Sequence, residues 1–268
     1  HRFESPRWTI KIDPATGALA SLEDRRTGTI LADADHPLGL LTYETFSAGD
    51  YDRYWHQYIR DREFGGVRVW AHPDNTKPNL KVEAHQSWQP SPRELHVREA
   101  AQSLQVLVEA NLPAESQRIG APALLYLEYT LEADAFGITL RWFDKPACRL
   151  PEAYWLSFKP LLPADGQWAI HKLGRDIDPG DVINRGARTL HSFDTGISYS
   201  SAQHRLAINS LDAALVAPGK PSLLDFHNQL PDMTGGMHFN LYNNVWGTNF
   251  PMWFEDDAAF RFLLRLEP

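Results

Sequence analysis

Apolar and polar residues alternate along this chain with a period of two, not the 3.6 of a helix. Trp8, Ile10 and Ile12 interleave with Arg7, Thr9 and Lys11. The same alternation returns in Leu80–Val82–Ala84, Leu104–Val106–Val108, Leu125–Leu127–Tyr129–Leu131, Ile138–Leu140–Trp142 and Phe260–Phe262–Leu264–Leu266. Successive side chains of a strand point to opposite faces, so each run predicts a strand with one face buried. Turn formers separate the runs: DPATG (13–17), HPDN (72–75), QPSP (89–92), PADG (163–166), DPGD (178–181) and APGK (217–220). Helical periodicity with caps is nearly absent, and ALVAPGKPSLLDF is too rich in Pro and Gly for one helix. The chain therefore reads as all-β, one large antiparallel β-sandwich over residues 1–268. The segment DKPACRLPE (144–152) is expected to be either a connection between sheets or a sub-boundary.

Composition narrows the partners. A chain of 268 residues can bury a sizeable core, and 43% hydrophobic with 22% charged residues fits a globular protein. The net charge of −8 argues against nucleic acid or an anionic membrane as partner, since both call for a basic surface. A single cysteine, Cys148, excludes an internal disulfide and a thiolate zinc cluster, and fits a reducing, cytoplasmic compartment. No run has the length and apolarity of a transmembrane helix or of a signal peptide. The chain opens at His1 without Met, and is expected to be a piece of a longer protein.

Three stretches concentrate chemistry. The first is HFNLYNNVWGTNFPMWFEDD (238–257). If Met237 to Asn244 is one strand, Met237, Phe239 and Leu241 share one face and His238, Asn240, Tyr242 and Asn244 the other. Amides and carboxylates suit hydroxyl groups, and flat indoles suit the C–H faces of sugars, so Trp246 and Trp253 extend a candidate carbohydrate surface. The competing reading is an Asn-rich turn beside a solvated strand. The second stretch, YETFSAGDYDRYWHQYIRD (43–61), is expected to be a long irregular segment, and such segments are often functional. It carries Tyr43, Phe46, Tyr51, Tyr54, Trp55 and Tyr58 with Asp50, Asp52, Arg53 and His56. The third, 171–199, offers Arg175, Asp176 and Arg185, with His191 and Asp194 as a candidate acid/base pair. Glu152 and Asp212 are candidate sugar-binding carboxylates. His72 and Asp74 form a His-x-Asp pair, but in a turn-like setting with no further ligands in register, so no metal is assigned.

The opening, WTIKIDPATGALASLEDRRTGTILAD (8–33), resembles the start of the β-sandwich region of glycoside hydrolase family 38 α-mannosidases. The end, LYNNVWGTNFPMWFEDDAAFRFLLRL (241–266), resembles the close of that region in a bacterial and fungal branch related to these enzymes, as do PEAYWLSFKP (151–160) and SLDAALVAPG (210–219). The resemblance implies a galactose-mutarotase-like supersandwich lying beside an N-terminal catalytic domain. Zinc and the nucleophile of the family belong to that domain, so no cofactor is implied on this chain. It also makes Asn243, Asn244, Trp246, Thr248 and Asn249 candidates for contact with substrate or with the catalytic domain.

Three functional readings stand open. One is a carbohydrate-recognition, accessory sandwich that completes the substrate cleft of a glycoside hydrolase. Another is a free-standing mutarotase- or epimerase-like sugar enzyme, with His238 or His191 as acid and Glu152 or Asp194 as base. The last is a non-catalytic carbohydrate-binding module.

Overall fold

The computed structural model of the chain describes residues 1–58, 84–100, 103–246 and 251–267. Its strands form two antiparallel sheets. Among the described residues the first sheet holds ten strands: β1 (Arg2–Glu4), β2 (Trp8–Ile12), β3 (Leu19–Asp24), β4 (Thr29–Ala32), β5 (Leu38–Thr45), β6 (Gln86–Trp88), β11 (Glu152–Phe158), β14 (His191–Ser192), β17 (Leu215–Pro218) and β18 (Met237–Asn243). Their order is β1-β2-β3-β5-β11-β18-β17-β14, with β4 beside β3 and β6 beside β5. The second sheet holds nine: β7 (Ser91–Ala100), β8 (Ser103–Asn111), β9 (Leu125–Leu131), β10 (Phe136–Lys145), β12 (Gln167–Lys172), β13 (Arg175–Ile177), β15 (Gly196–Ser200), β16 (Arg205–Ser210) and β19 (Asp256–Glu267). Their order is β13-β12-β15-β16-β19-β10-β9-β8-β7. The chain is an antiparallel β-sandwich.

The alternating runs became β2, β8, β9, β10 and β19, and their apolar members meet between the sheets. Trp8, Leu22, Leu41, Tyr43, Leu156, Phe158 and Phe239 from the first sheet pack on Val106, Leu127, Tyr129, Ile138, Trp142 and Phe262 from the second. Of the run Leu80–Val82–Ala84, residues 80–83 lie outside the described residues. The DPATG turn closes as its side chains predict: Asp13 accepts the Ala15 N–H at 2.9 Å, and Gly17 sits at φ +79°.

Two features depart from the alternation. Every residue of β11 is buried, because this strand is covered on both faces. Tyr154, Leu156 and Phe158 enter the core between the sheets. Ala153 and Trp155 point outward into a second apolar layer with Phe46, Tyr51, Ala217, Leu223, Leu224 and Val245. The second departure is the segment expected to be irregular, much of which is a helix, α1 (Ala48–Tyr58). Its start is a capping box: the Ser47 N–H donates to Asp50 Oδ2 at 2.7 Å, and the Asp50 N–H donates to Ser47 Oγ at 3.3 Å. With residues 221–226, α1 forms a third layer over the outer face of the first sheet.

Candidate functional site

A cleft of about 440 Å³ opens where this third layer leaves the sheet, lined by Glu44, Asp50, Arg53, His85 and residues 220–225. Strand alternation explains its floor. Tyr43 of β5 points into the core, so Glu44 points outward, and the Trp155 indole N–H donates to Glu44 Oε1 at 2.6 Å. Glu44 Oε2 lies 3.1 Å from His85 Nε2, and His85 Nδ1 lies 3.6 Å from Asp50 Oδ2. Arg53, one turn after Asp50 on α1, donates to Asp50 Oδ1 at 2.9 Å and to Asp225 Oδ1 at 3.1 Å. Ser222 Oγ donates to Asp225 at 3.1 Å, and the Lys220 ammonium lies 3.5 Å away.

The charges in this cleft balance. Beside Asp50 and Glu44 the His85 imidazole is pushed up to about 9, so it is a cation at neutral pH. Burial alone raises the Asp50 carboxyl, but hydrogen bonds from His85, Ser47 and Arg53 outweigh it and hold Asp50 well below the ordinary carboxylate range. Asp225 is likewise lowered: Lys220, Ser222 and Arg53 overcome its desolvation. Three carboxylates thus face an imidazolium, a guanidinium and an ammonium. The pocket offers acceptors beside donors in fixed positions, with Lys220 and His85 at its exposed mouth.

The stretch 238–257 divides between fastening and surface. A β-bulge opposite Tyr154 and Trp155 pairs Tyr154 with Tyr242 and Trp155 with Asn240. It skips Leu241 and reverses the faces beyond it, which corrects the simple alternation. Tyr242 turns to the core side, ring to ring with Tyr154 at 6.1 Å, while His238 and Asn240 stay on the outer face. Asn240 donates to the Tyr154 and Tyr242 carbonyls and accepts from Asn243 Nδ2 at 2.7 Å, so both amides close the bulge. Asn244, 2% exposed, accepts the Glu152 N–H at 2.8 Å and donates to the carbonyls of Cys148 and Leu150. The expectation that Asn240 and Asn244 face a ligand is corrected: a buried amide must satisfy the backbone around it, and these do. Trp246 is different, being 40% exposed and packed edge-on to Tyr54 of α1 at 5.4 Å. The half-buried Trp253 lies under the Arg149 guanidinium, 5.0 Å away. Thr248 and Asn249 lie outside the described residues, as do His72 and Asp74.

The acid/base candidates do not assemble as expected. His238 is buried, with Nδ1 2.7 Å from Ser157 Oγ, and desolvation lowers it to about 4, so it stays neutral and sits apart from the cleft. His191 and Asp194 do not pair. His191 Nε2 lies 3.3 Å from the Arg188 carbonyl, and Asp194 accepts the Gly174 N–H at 3.3 Å. Glu152 is no strand-edge carboxylate: it is wholly buried, 2.7 Å from the equally buried Lys145 ammonium, and accepts the Tyr43 hydroxyl at 2.9 Å. Asp212 holds Arg261 through both oxygens, at 2.8 and 2.9 Å. For metals, Glu94, His96 and Glu109 bring ligand atoms within 4.8 Å of one another on the β7–β8 hairpin, mostly exposed and already neutralised in part by Arg93. Reading the sequence picked out Asp50 and Arg53 but missed Glu44, His85, Lys220 and Asp225. The one local signal was the Ser47-x-x-Asp50 capping box, which announces the helix that builds the wall.

The chain belongs to the family described as "Domain of unknown function (DUF5054)", whose profile matches residues 1–138. No curated protein matches it. Solved structures share the fold at low identity. An α-mannosidase from Enterococcus faecalis V583 is 9% identical with a TM-score of 0.57, over 100% of this chain and 29% of that one. A galactose mutarotase-like protein from Clostridium acetobutylicum is 11% identical with a TM-score of 0.56, over 99% of this chain and 94% of that one. A galactose 1-epimerase from Lactobacillus acidophilus NCFM is 11% identical with a TM-score of 0.52, over 99% and 93%. The fold is therefore the galactose mutarotase-like sandwich, and this chain spans less than a third of the length of the mannosidase.

Proposed function

We propose that this chain binds carbohydrate in the cleft over the first sheet, as the accessory sandwich of an α-mannosidase-like, glycoside-processing protein. The catalytic domain, with any zinc it carries, would lie outside this chain and meet the sandwich at the cleft. The observation that carries the reading is the balanced constellation of Glu44, Asp50, Asp225, His85, Arg53 and Lys220. A sugar hydroxyl both donates and accepts, so acceptors and charged donors side by side suit it. The same balance favours holding over proton transfer. A general base works best with a pKa near the working pH, and Asp50 is held far below it. The likeness of the whole chain to one part of an α-mannosidase supports the accessory placement. Titration calorimetry with neutral monosaccharides, led by mannose, tests the reading. Wild type is expected to bind one of them saturably, and Arg53→Ala and Glu44→Gln to weaken it at least ten-fold. Absence of saturable binding by the wild type would sink it.

One observation favours a second reading, a free-standing mutarotase or epimerase: the protonated His85 stands between two carboxylates, a proton donor at the mouth of the cleft. That reading predicts faster anomer interconversion of a neutral aldose by polarimetry, lost in His85→Ala. Equal rates with and without the protein end it.

A further inference from the structure

Four aromatic rings gather beside the cleft. Tyr54 and Tyr58 of α1 stack at 5.5 Å with planes 10° apart. Phe226 meets Tyr58 edge-on at 5.1 Å and Tyr54 at 6.4 Å, and Trp246 meets Tyr54 at 5.4 Å. The group is held from beneath. The Phe226 N–H donates to Gln57 Oε1 at 2.7 Å, and the Tyr51 hydroxyl donates to the Val245 carbonyl at 2.6 Å. Yet Trp246 is 40% and Tyr58 39% exposed. Tyr54 and Phe226, both half-buried, join these two exposed rings, and clustered aromatic faces of this kind suit a contact site because apolar surface gains by leaving water.

The rings are continuous with the polar cleft. Arg53 lines the cleft and Tyr54, the next residue, belongs to the aromatic group; Asp225 and Phe226 repeat the arrangement on the opposing loop. From Asp50 in the cleft to Tyr58 at the far end, α1 rises about 12 Å, which is longer than one sugar ring. Two chemistries therefore follow one another along the helix: fixed donors and acceptors, then flat apolar faces that suit the C–H face of a pyranose. The net charge of −8 and the balanced cleft select against an anionic lipid surface as the occupant.

We infer that Tyr54, Tyr58, Phe226 and Trp246 form a second subsite, so that the site binds a free monosaccharide but prefers a chain of at least two neutral sugar units. This inference rests on the carbohydrate reading of the cleft. Calorimetry on the full chain with mannose, its disaccharide and its trisaccharide, and the same series of glucose, tests it. The wild type is expected to bind the disaccharide at least ten-fold more tightly than the monosaccharide. In Trp246→Ala and in Tyr58→Ala, each checked for an unshifted thermal midpoint, that preference falls toward unity. A wild type that binds mono- and disaccharide equally, or variants that keep the preference, would overturn the subsite while leaving the cleft intact. Self-association in sedimentation velocity that Trp246→Ala abolishes would also overturn it, assigning the patch to a second copy of this chain. Failure of the wild type to bind any saccharide would overturn the subsite and the carbohydrate reading together.

Discussion

Lys145 and Glu152 are each wholly buried and 2.7 Å apart, and they join the end of β10 in the second sheet to the start of β11 in the first. The Lys145 ammonium also donates to the Pro146 carbonyl at 3.0 Å and lies 5.5 Å from the Tyr242 ring, while Glu152 accepts from Tyr43. Removing one member of such a pair strands the other charge in a low dielectric, whereas removing both charges is far less harmful. Lys145→Met is therefore expected to cost about 3–5 kcal/mol in urea unfolding. Adding Glu152→Gln, which keeps an acceptor for Tyr43, should recover at least half; a double variant no better than the single would show that the pair is not the cause. Asn244 serves the same crossing through backbone hydrogen bonds at 2.8, 2.9 and 3.0 Å. Asn244→Ala is expected to cost about 2–3 kcal/mol by leaving buried groups unsatisfied. A loss within about 0.5 kcal/mol, the range of ordinary surface changes, would return Asn244 to the candidate ligand contacts. Glu152 and Asn244 looked like ligand contacts in the sequence because amides and carboxylates carry the same donors and acceptors whether they face a sugar or a buried carbonyl. Burial is the deciding quantity, and the sequence of residues 240–244 reveals it poorly where a bulge resets the period.

At the scale of elements, legibility followed the number of covered faces. β8, β9, β10 and β19 alternate because one face meets the core and the other is more open. β11 does not alternate, since α1 and residues 221–226 cover its second face, and within EAYWLSF only the unbroken apolar run Ala153–Leu156 marks that cover. Helix α1 was hidden for a related reason: of its residues only Asp50 and Tyr51 are buried, so it has no apolar stripe to count. It is fixed instead by its cap, by Arg53 on Asp225, and by His85, which bridges Asp50 of the helix and Glu44 of β5. That bridge makes the attachment of α1 dependent on pH. His85 is raised in the folded protein from 6.5 to about 9, so its contribution is fully present below about 6.5 and is lost as pH rises through about 9. With the side chain 39% exposed, screening reduces the effect to the order of 1 kcal/mol. Hydrogen exchange of the α1 amides, corrected for intrinsic rates, should show protection falling between pH 6.5 and 9.5 in the wild type and much less in His85→Ala. Parallel pH profiles in the two proteins would remove His85 from the attachment.

Over the whole molecule, the two sheets are not built from the two halves of the sequence. The first takes β1 to β6 from the early chain, but its centre needs β11 and β18. In the second, β19, nearly the last segment of the chain, lies between β10 and β16. Arg7 joins the extremes directly, donating to Asp24 at 3.0 Å and to the Leu266 carbonyl at 2.9 Å. The family profile nevertheless stops at residue 138, three residues into β10. A polypeptide of residues 1–138 would retain Trp8, Leu41, Tyr43, Val106, Leu127 and Tyr129, while losing Trp142, Leu156, Phe158, Phe239 and Phe262 from across the same core. It would also expose the edges of β5 and β9, with unpaired backbone groups along both. Fixing that backbone carries the full entropic cost with only part of the apolar burial that offsets it. Residues 1–138 alone are therefore expected to lack a cooperative urea transition and fixed near-ultraviolet dichroism, and to bind a hydrophobic dye. The 268-residue chain should unfold in a single transition by both probes. A cooperative transition in the 1–138 fragment would mean that the match marks an independent unit, and that the later strands dock on a preformed sheet instead of completing a shared core.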